Sequence, residues 1–95
     1  MEEKLPLDGK YIMYKGKPLV REKNVIIYGD MREKYYLFLM ILSSNNMGGV
    51  EVPGKILIQI LSTDGKQTIQ KQGETDGLYD ALDIGIIWLD RALAQ

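Results

Sequence analysis

Apolar and polar residues alternate along the first three quarters of the chain in the way that β-strands require. Segments rich in β-branched and aromatic residues, bounded by turn residues, predict short strands at residues 11–14, 19–21, 25–28, 35–42, 55–62 and 67–72. Asp64-Gly65 predicts a two-residue hairpin turn between the last two strands, because a type I′ turn needs positive φ at both central positions. Residues 1–10 are expected to be a loosely ordered lead-in, and residues 43–54 a loop.

The last fifth of the chain changes to a helical spacing of apolar residues. Residues 78–94 are predicted to form one amphipathic helix, with Asp76 as its N-cap and Asp80 near the positive end of the helix dipole. Ile84 and Trp88 widen the apolar stripe of this helix, whereas Ile87 lies within its polar face. The stripe itself consists of Leu78, Leu82, Ile86, Leu89 and Leu93.

The predicted strand at residues 35–42 is apolar on both of its faces. Its even positions include Tyr36, Phe38 and Met40, and its odd positions are equally apolar. A half-buried strand would alternate apolar with polar residues, so this strand should lie at the centre of the sheet with both faces covered. One helix can cover only one face of the sheet. The second face must be buried either by curling of the sheet into a partly barrel-like form or by another polypeptide. The sequence leaves both solutions open.

These elements predict a single α+β domain over residues 1–95. Residues 11–72 should form a curled antiparallel meander sheet of five or six strands, and the helix at 77–94 should pack on it. Hydrophobic residues make up 45% of the chain and charged residues 26%, which is ordinary globular composition. The chain has no cysteine, no basic-then-apolar leader and no apolar run near the length of a membrane span, so we expect a cytoplasmic protein without a membrane partner.

The absence of histidine and cysteine restricts the chemistry that the chain can perform. Histidine is the commonest general base and metal ligand, and the usual nucleophile pairs and zinc or iron–sulfur sites need one of these two residues. The sequence therefore predicts a protein that is not an enzyme and that has no cofactor. The remaining alternative is a carboxylate-based metal binder or enzyme that uses Asp76, Asp80 and Asp83, which are spaced for one helical face. A solvated face is the simpler explanation of that spacing.

A basic, tyrosine-containing hairpin near the N-terminus offers a nucleic-acid alternative. Cations that neutralise phosphates beside aromatic rings that stack on bases are the usual means of holding single strands. The formal net charge of −1 argues against this reading, and lysines also protect the edges of sheets. The candidate contacts are Tyr11, Tyr14, Lys15, Lys17 and Arg21.

Two segments resemble a group of short bacterial proteins of about this length that carry no assigned function. They are residues 14–30, YKGKPLVREKNVIIYGD, and residues 77–93, GLYDALDIGIIWLDRAL. The resemblance implies a stand-alone bacterial protein and supplies no catalytic or binding residue.

The function that the sequence favours is a non-enzymatic protein-interaction or regulatory module, with self-association into a homodimer as one form of it. The spare face of the central strand and the wide apolar arc of the helix are the expected binding surface. Its candidate residues are Tyr36, Phe38, Met40, Ile84, Ile87 and Trp88.

Overall fold

The computed structural model describes residues 10–66 and 68–94, so nearly all of the predicted lead-in lies outside the described residues. Within them the chain forms eight strands and one C-terminal helix. The elements are β1 Lys10–Tyr14, β2 Lys17–Glu22, β3 Val25–Tyr28, β4 Tyr35–Ile41, β5 Ser44–Met47, β6 Val50–Pro53, β7 Lys55–Ser62, β8 Ile69–Asp76 and α1 Leu78–Leu93.

Six of these strands form one antiparallel sheet in the order β1-β2-β3-β4-β7-β8. The predicted meander with one C-terminal helix packed on it is therefore confirmed. In the described residues the two outer strands, β1 and β8, do not pair with each other, so the sheet stays open. The expected partly barrel-like form therefore applies only loosely, and in the described residues the second face of the central strand is not buried by closure.

The segment predicted as a loop, residues 43–54, is instead the hairpin of β5 and β6. Gly48 and Gly49 connect the two strands with φ values of 62° and 84°, which are the positive angles that a type I′ turn requires. The hairpin prolongs the ribbon of β4 and β7, because Leu42 N donates to Lys55 O at 2.8 Å and Gly54 N donates to Ser43 O at 2.7 Å. Nearly all of its described residues are exposed.

The predicted two-residue turn at Asp64 is also wrong, because the Asp64 side chain organises a longer connection. Its Oδ1 accepts hydrogen bonds from Ser62 Oγ at 2.9 Å and from Lys66 N at 3.0 Å. These two bonds, the backbone one foremost, lower the pKa of Asp64. Ser62 N then donates to Thr68 O at 3.0 Å, and strand pairing resumes only at Ile69. Local hydrogen bonds from an Asp side chain thus replace the tight turn.

The helix begins at Leu78 and ends at Leu93, as its periodicity predicts, but its start differs from the expected one. Gly77 is the N-cap and makes no side-chain hydrogen bond. Asp76 belongs to β8 and pairs with Lys55 of β7, so it does not cap the helix. The prediction failed because β8 continues four residues beyond the predicted strand end.

The core lies between the helix and one face of the sheet. Helix α1 packs on β4, β7 and β8, and the β4 residues on this face are Leu37, Leu39 and Ile41. Gly85 allows the helix to approach closely, since a Cβ at this position would lie 2.5 Å from Leu37 Cδ1. The other core residues are Leu19, Ile26, Tyr28, Ile56, Ile58, Ile60, Leu78, Ala81, Leu82, Leu89 and Ala92. Among the described residues, no helix combines the length and the apolar character needed to cross a membrane.

Candidate interaction surface

The side of the six-stranded sheet opposite the helix is apolar across five adjacent strands. Strand register places Val20 opposite Ile27, and Ile27 opposite Phe38, on this side. Met40 follows two residues after Phe38 and lies opposite Leu57. We call this surface the open face, and it consists of Met13, Pro18, Val20, Val25, Ile27, Phe38, Met40 and Leu57.

No helix or strand within residues 10–66 and 68–94 forms a layer over the open face. The helix packs on the opposite side of the sheet, and the β5–β6 hairpin is exposed rather than folded back. Seven of the eight open-face side chains are half-buried, and the eighth, Met13, is 39% exposed. This is the face that the two-sided apolar pattern of residues 35–42 left unassigned.

A groove of about 440 Å³ lies at one end of the open face. Met13, Val20 and Ile27 contribute to its apolar walls, and the loop after β3 forms its rim. On that rim Asp30 and Arg32 bind each other, with Arg32 Nη2 2.7 Å from Asp30 Oδ2. Hydrogen bonds from the Arg32 side chain, and then from its backbone N–H, lower the pKa of Asp30 to about 2. The charges at this rim are thus satisfied within the chain.

The opposite end of this side of the sheet is polar, and part of its polar groups pair with each other, whereas Asp76, opposite Lys55, is an exposed charge. Gln59 Nε2 donates to Gln72 Oε1 at 2.9 Å, across β7 and β8. Lys55 Nζ lies 3.7 Å from Glu74 Oε1 on the same side of the sheet. Glu22, at the end of β2, is an exposed charge at a corner of this side. Charge is therefore confined to the margin, and the centre of the open face carries none.

Two of the six residues predicted for an interaction surface lie on the open face, namely Phe38 and Met40. Tyr36 occupies the same side of β4 but is only 7% exposed. It lines a smaller depression with Met31 and Thr63, beside the loops that follow β3 and β7. Tyr36 therefore supports the end of the surface and offers little area of its own.

The three predicted helix residues lie on the other side of the molecule, so they cannot share one contact area with the open face. Trp88 packs against β8, where a Cβ on Gly73 would lie 2.8 Å from its Cη2 atom. Lys71 Nζ lies 4.8 Å from the Trp88 ring centre, within cation–π range. Ile84 packs against the core, and Ile87 is 51% exposed on the outer surface of the helix.

The tyrosines of the basic hairpin are not arranged as a stacking platform in the described residues. Tyr14 packs edge-on against Tyr28, with ring centroids 6.0 Å apart and an interplanar angle of 77°. Tyr28 Oη donates to Tyr14 O at 2.8 Å, and Lys15 Nζ lies 5.6 Å from the centre of the Tyr14 ring. The side chain of Tyr11 lies outside the described residues. The ring of Tyr14 is thus already engaged.

The cations of this hairpin also have partners within the chain. Lys17 Nζ lies 2.7 Å from Glu33 Oε1 and is largely shielded. Arg21 Nε donates to Lys23 O at 3.4 Å. Neutralising a phosphate would require breaking the Lys17 pair, so this arrangement gives no support to a nucleic-acid interface.

The three carboxylates considered for metal binding do not share one helical face. Asp76 is in β8, while Asp80 and Asp83 are exposed on the helix. Within the described ranges, no three carboxylates lie close enough together to hold an ion. The arrangement considered for a metal site, three carboxylates on one helical face, is therefore absent from the described residues.

Sequence reasoning missed the larger part of the open face. Val20, Val25 and Ile27 alternate with the buried residues Leu19 and Ile26, which is a signal of a two-faced apolar sheet that the sequence already contains. Strand order and register were needed to show that these residues extend the surface of Phe38.

Comparison with known proteins gave no matching family model, no matching curated protein and no matching solved structure. The case for a function therefore depends on the surface of this chain alone.

Proposed function

We propose that this chain is a non-enzymatic protein-interaction module that binds another polypeptide through the open face. One observation carries the proposal. Eight apolar side chains from five adjacent strands lie together without a covering layer in the described part of the chain. A contiguous exposed apolar patch with a polar margin is typical of protein-binding surfaces.

The dimensions of the open face suit a protein partner. The open face supplies eight residues, and the polar side chains of its margin, including those of β8, bring this side of the sheet toward the roughly 20–30 residues that one side of a standard interface contains. Phe38 lies near its middle and is flanked by Ile27. On its other side, Phe38 lies opposite Gln59 of β7, so it stands where the apolar residues meet the polar margin. A large aromatic side chain within a protein-binding surface often contributes a large share of the binding free energy.

The proposal can be tested by site-specific photo-crosslinking in cells that naturally express the protein. A photoreactive phenylalanine analogue is placed at Phe38, and the matched control places it at Ile87 on the outer surface of the helix. We expect a protein adduct from position 38 and none from position 87, because only the first lies in the proposed interface. Absence of any protein adduct from position 38, with the chain folded and expressed, would refute the proposal.

A further inference from the structure

On the basis of this proposed function, we propose that the polypeptide bound by the open face is a second copy of the same chain. The two sheets would pack face to face about a two-fold axis, with both helices outside. Each amphipathic element would then be covered, because the helix covers one face of the sheet and the partner sheet covers the other. The Phe38 side chains of the two copies lie near the centre of this contact.

The charge distribution favours a second copy over an unrelated partner. In a two-fold interface the same patch meets itself, so any unpaired charge near the axis would face its own kind. The centre of the open face carries no charge, and the flanking pairs Asp30–Arg32 and Lys55–Glu74 are neutral as units. Asp76, the last residue of β8, adds one exposed charge at the margin of this side. Selection of an unrelated protein usually depends on unpaired charges that complement those of the partner. The exposed charge of Glu22 lies at a corner of this side, away from the centre.

The area of the face is also suited to a dimer. With its polar margin on β8, this side has six strands about 4.8 Å apart, which span about 24 Å between the outer strand axes and extend roughly 15–25 Å along them. In projection this is about 360–600 Å², which reaches the lower end of the roughly 600–1,000 Å² per partner of a standard interface. The groove beside Val20 must also be filled, and the flexible side chains of Met13 and Met31 at its margin can adapt to fill it.

Sedimentation velocity over about a hundredfold range of concentration tests this inference on the purified chain. We expect the wild type to change from monomer to dimer as its concentration rises. Phe38→Lys should weaken the association at least about a hundredfold, the scale seen when a central aromatic anchor is lost. Ile87→Lys adds the same charge on the helix surface and should leave the association unchanged.

Two further measurements keep the result decisive. Val20→Lys is a second open-face variant, and far-UV circular dichroism verifies that each variant is folded. The dilution series of the wild type tests the dimer without any substitution. A wild type that remains one chain at every concentration overturns the inference, as does a dimer that persists in both folded open-face variants. If position 38 crosslinks to a different protein while the purified chain stays monomeric, the second copy is refuted and the proposed function stands.

Discussion

Replacement of Gly85 by alanine should destabilise this protein, although the same change stabilises most helices. In a helix interior, alanine is favoured over glycine by about 1 kcal/mol. Here, however, the added Cβ would lie 2.5 Å from Leu37 Cδ1 and 2.7 Å from Leu37 Cδ2, and Leu37 is completely buried. Carbon atoms in contact normally lie about 3.5–4.0 Å apart, so the helix or the leucine must move by about 1 Å.

The expected change follows from these two opposing contributions. Forcing an extra methyl group into a packed core costs about 1–3 kcal/mol, and the helical preference returns about 1 kcal/mol. Since both terminal carbons of Leu37 block the site, we expect the free energy of unfolding to fall by about 1–2 kcal/mol. Urea denaturation followed by circular dichroism measures this change as a shift in the midpoint at constant slope.

Two controls separate the close contact from the intrinsic helical preference. At the exposed position Asp83, the alanine variant should be more stable than the glycine variant by about 1 kcal/mol, which is the reverse of the order expected at position 85. Leu37→Val removes the terminal carbons that block the site, so adding Gly85→Ala in that background should be neutral or stabilising. If Gly85→Ala stabilises the wild-type chain by as much as alanine over glycine at position 83, the helix does not contact Leu37 so closely.

Three further predictions concern single contacts. Tyr28→Phe should lower the free energy of unfolding by about 1 kcal/mol, because it removes the 2.8 Å hydrogen bond to Tyr14 O. Burial, reinforced by the nearby acidic groups, raises the pKa of Tyr28 from 10.0 to about 12. The free energy of unfolding that this shift contributes is present in full below pH 10 and is lost as the pH rises through about 12. Urea midpoints measured across this range should fall less steeply in Tyr28→Phe than in the wild type. Gly73→Ala should displace Trp88, the only tryptophan, since the new Cβ would lie 2.8 Å from Cη2, and an unchanged fluorescence emission maximum would contradict this contact. Gly29→Ala should cost more than about 1 kcal/mol in thermal unfolding, because φ is 137° at this residue, and a melting temperature equal to that of the wild type would argue against this backbone conformation.

The identity of most elements was available from the sequence because periodicity is a local property. The β-branched run at Val25–Tyr28 and the alternation within Lys55–Ser62 identify strands, and the spacing after Gly77 identifies the helix. The apolar character of both sides of Tyr35–Ile41 also showed that one helix would leave a face to be covered. These properties depend on neighbours along the chain and need no knowledge of the fold.

The errors occurred where hydrogen bonds or strand pairing overrode local preference. Asp64-Gly65 is a typical tight-turn sequence. The Asp64 carboxylate, however, accepts hydrogen bonds from Ser62 and Lys66, and these stabilise a longer loop between β7 and β8. Residues 43–54 look like a loop because they are rich in Asn and Gly, yet pairing that starts in β4 and β7 continues into them. The sequence predicts Asp76 as a helix cap because β8 reads as ending earlier. Its last four residues are strand only because they pair with β7, and that pairing is not visible in the local sequence.

The sequence by itself determined that the central strand has two apolar faces, whereas only the tertiary structure decided which face the helix covers. The helix packs on the side of Ile56, Ile58 and Ile60, while Gln59 lies on the open side and bonds to Gln72. Burying the Gln59 amide under an apolar helix without a partner would cost free energy, so the wholly aliphatic side became the core. Register then placed Ile27 and Val20 beside Phe38, and the open face was completed by strands that are distant in sequence. A continuous apolar face of this kind is a product of strand pairing, which no local pattern specifies.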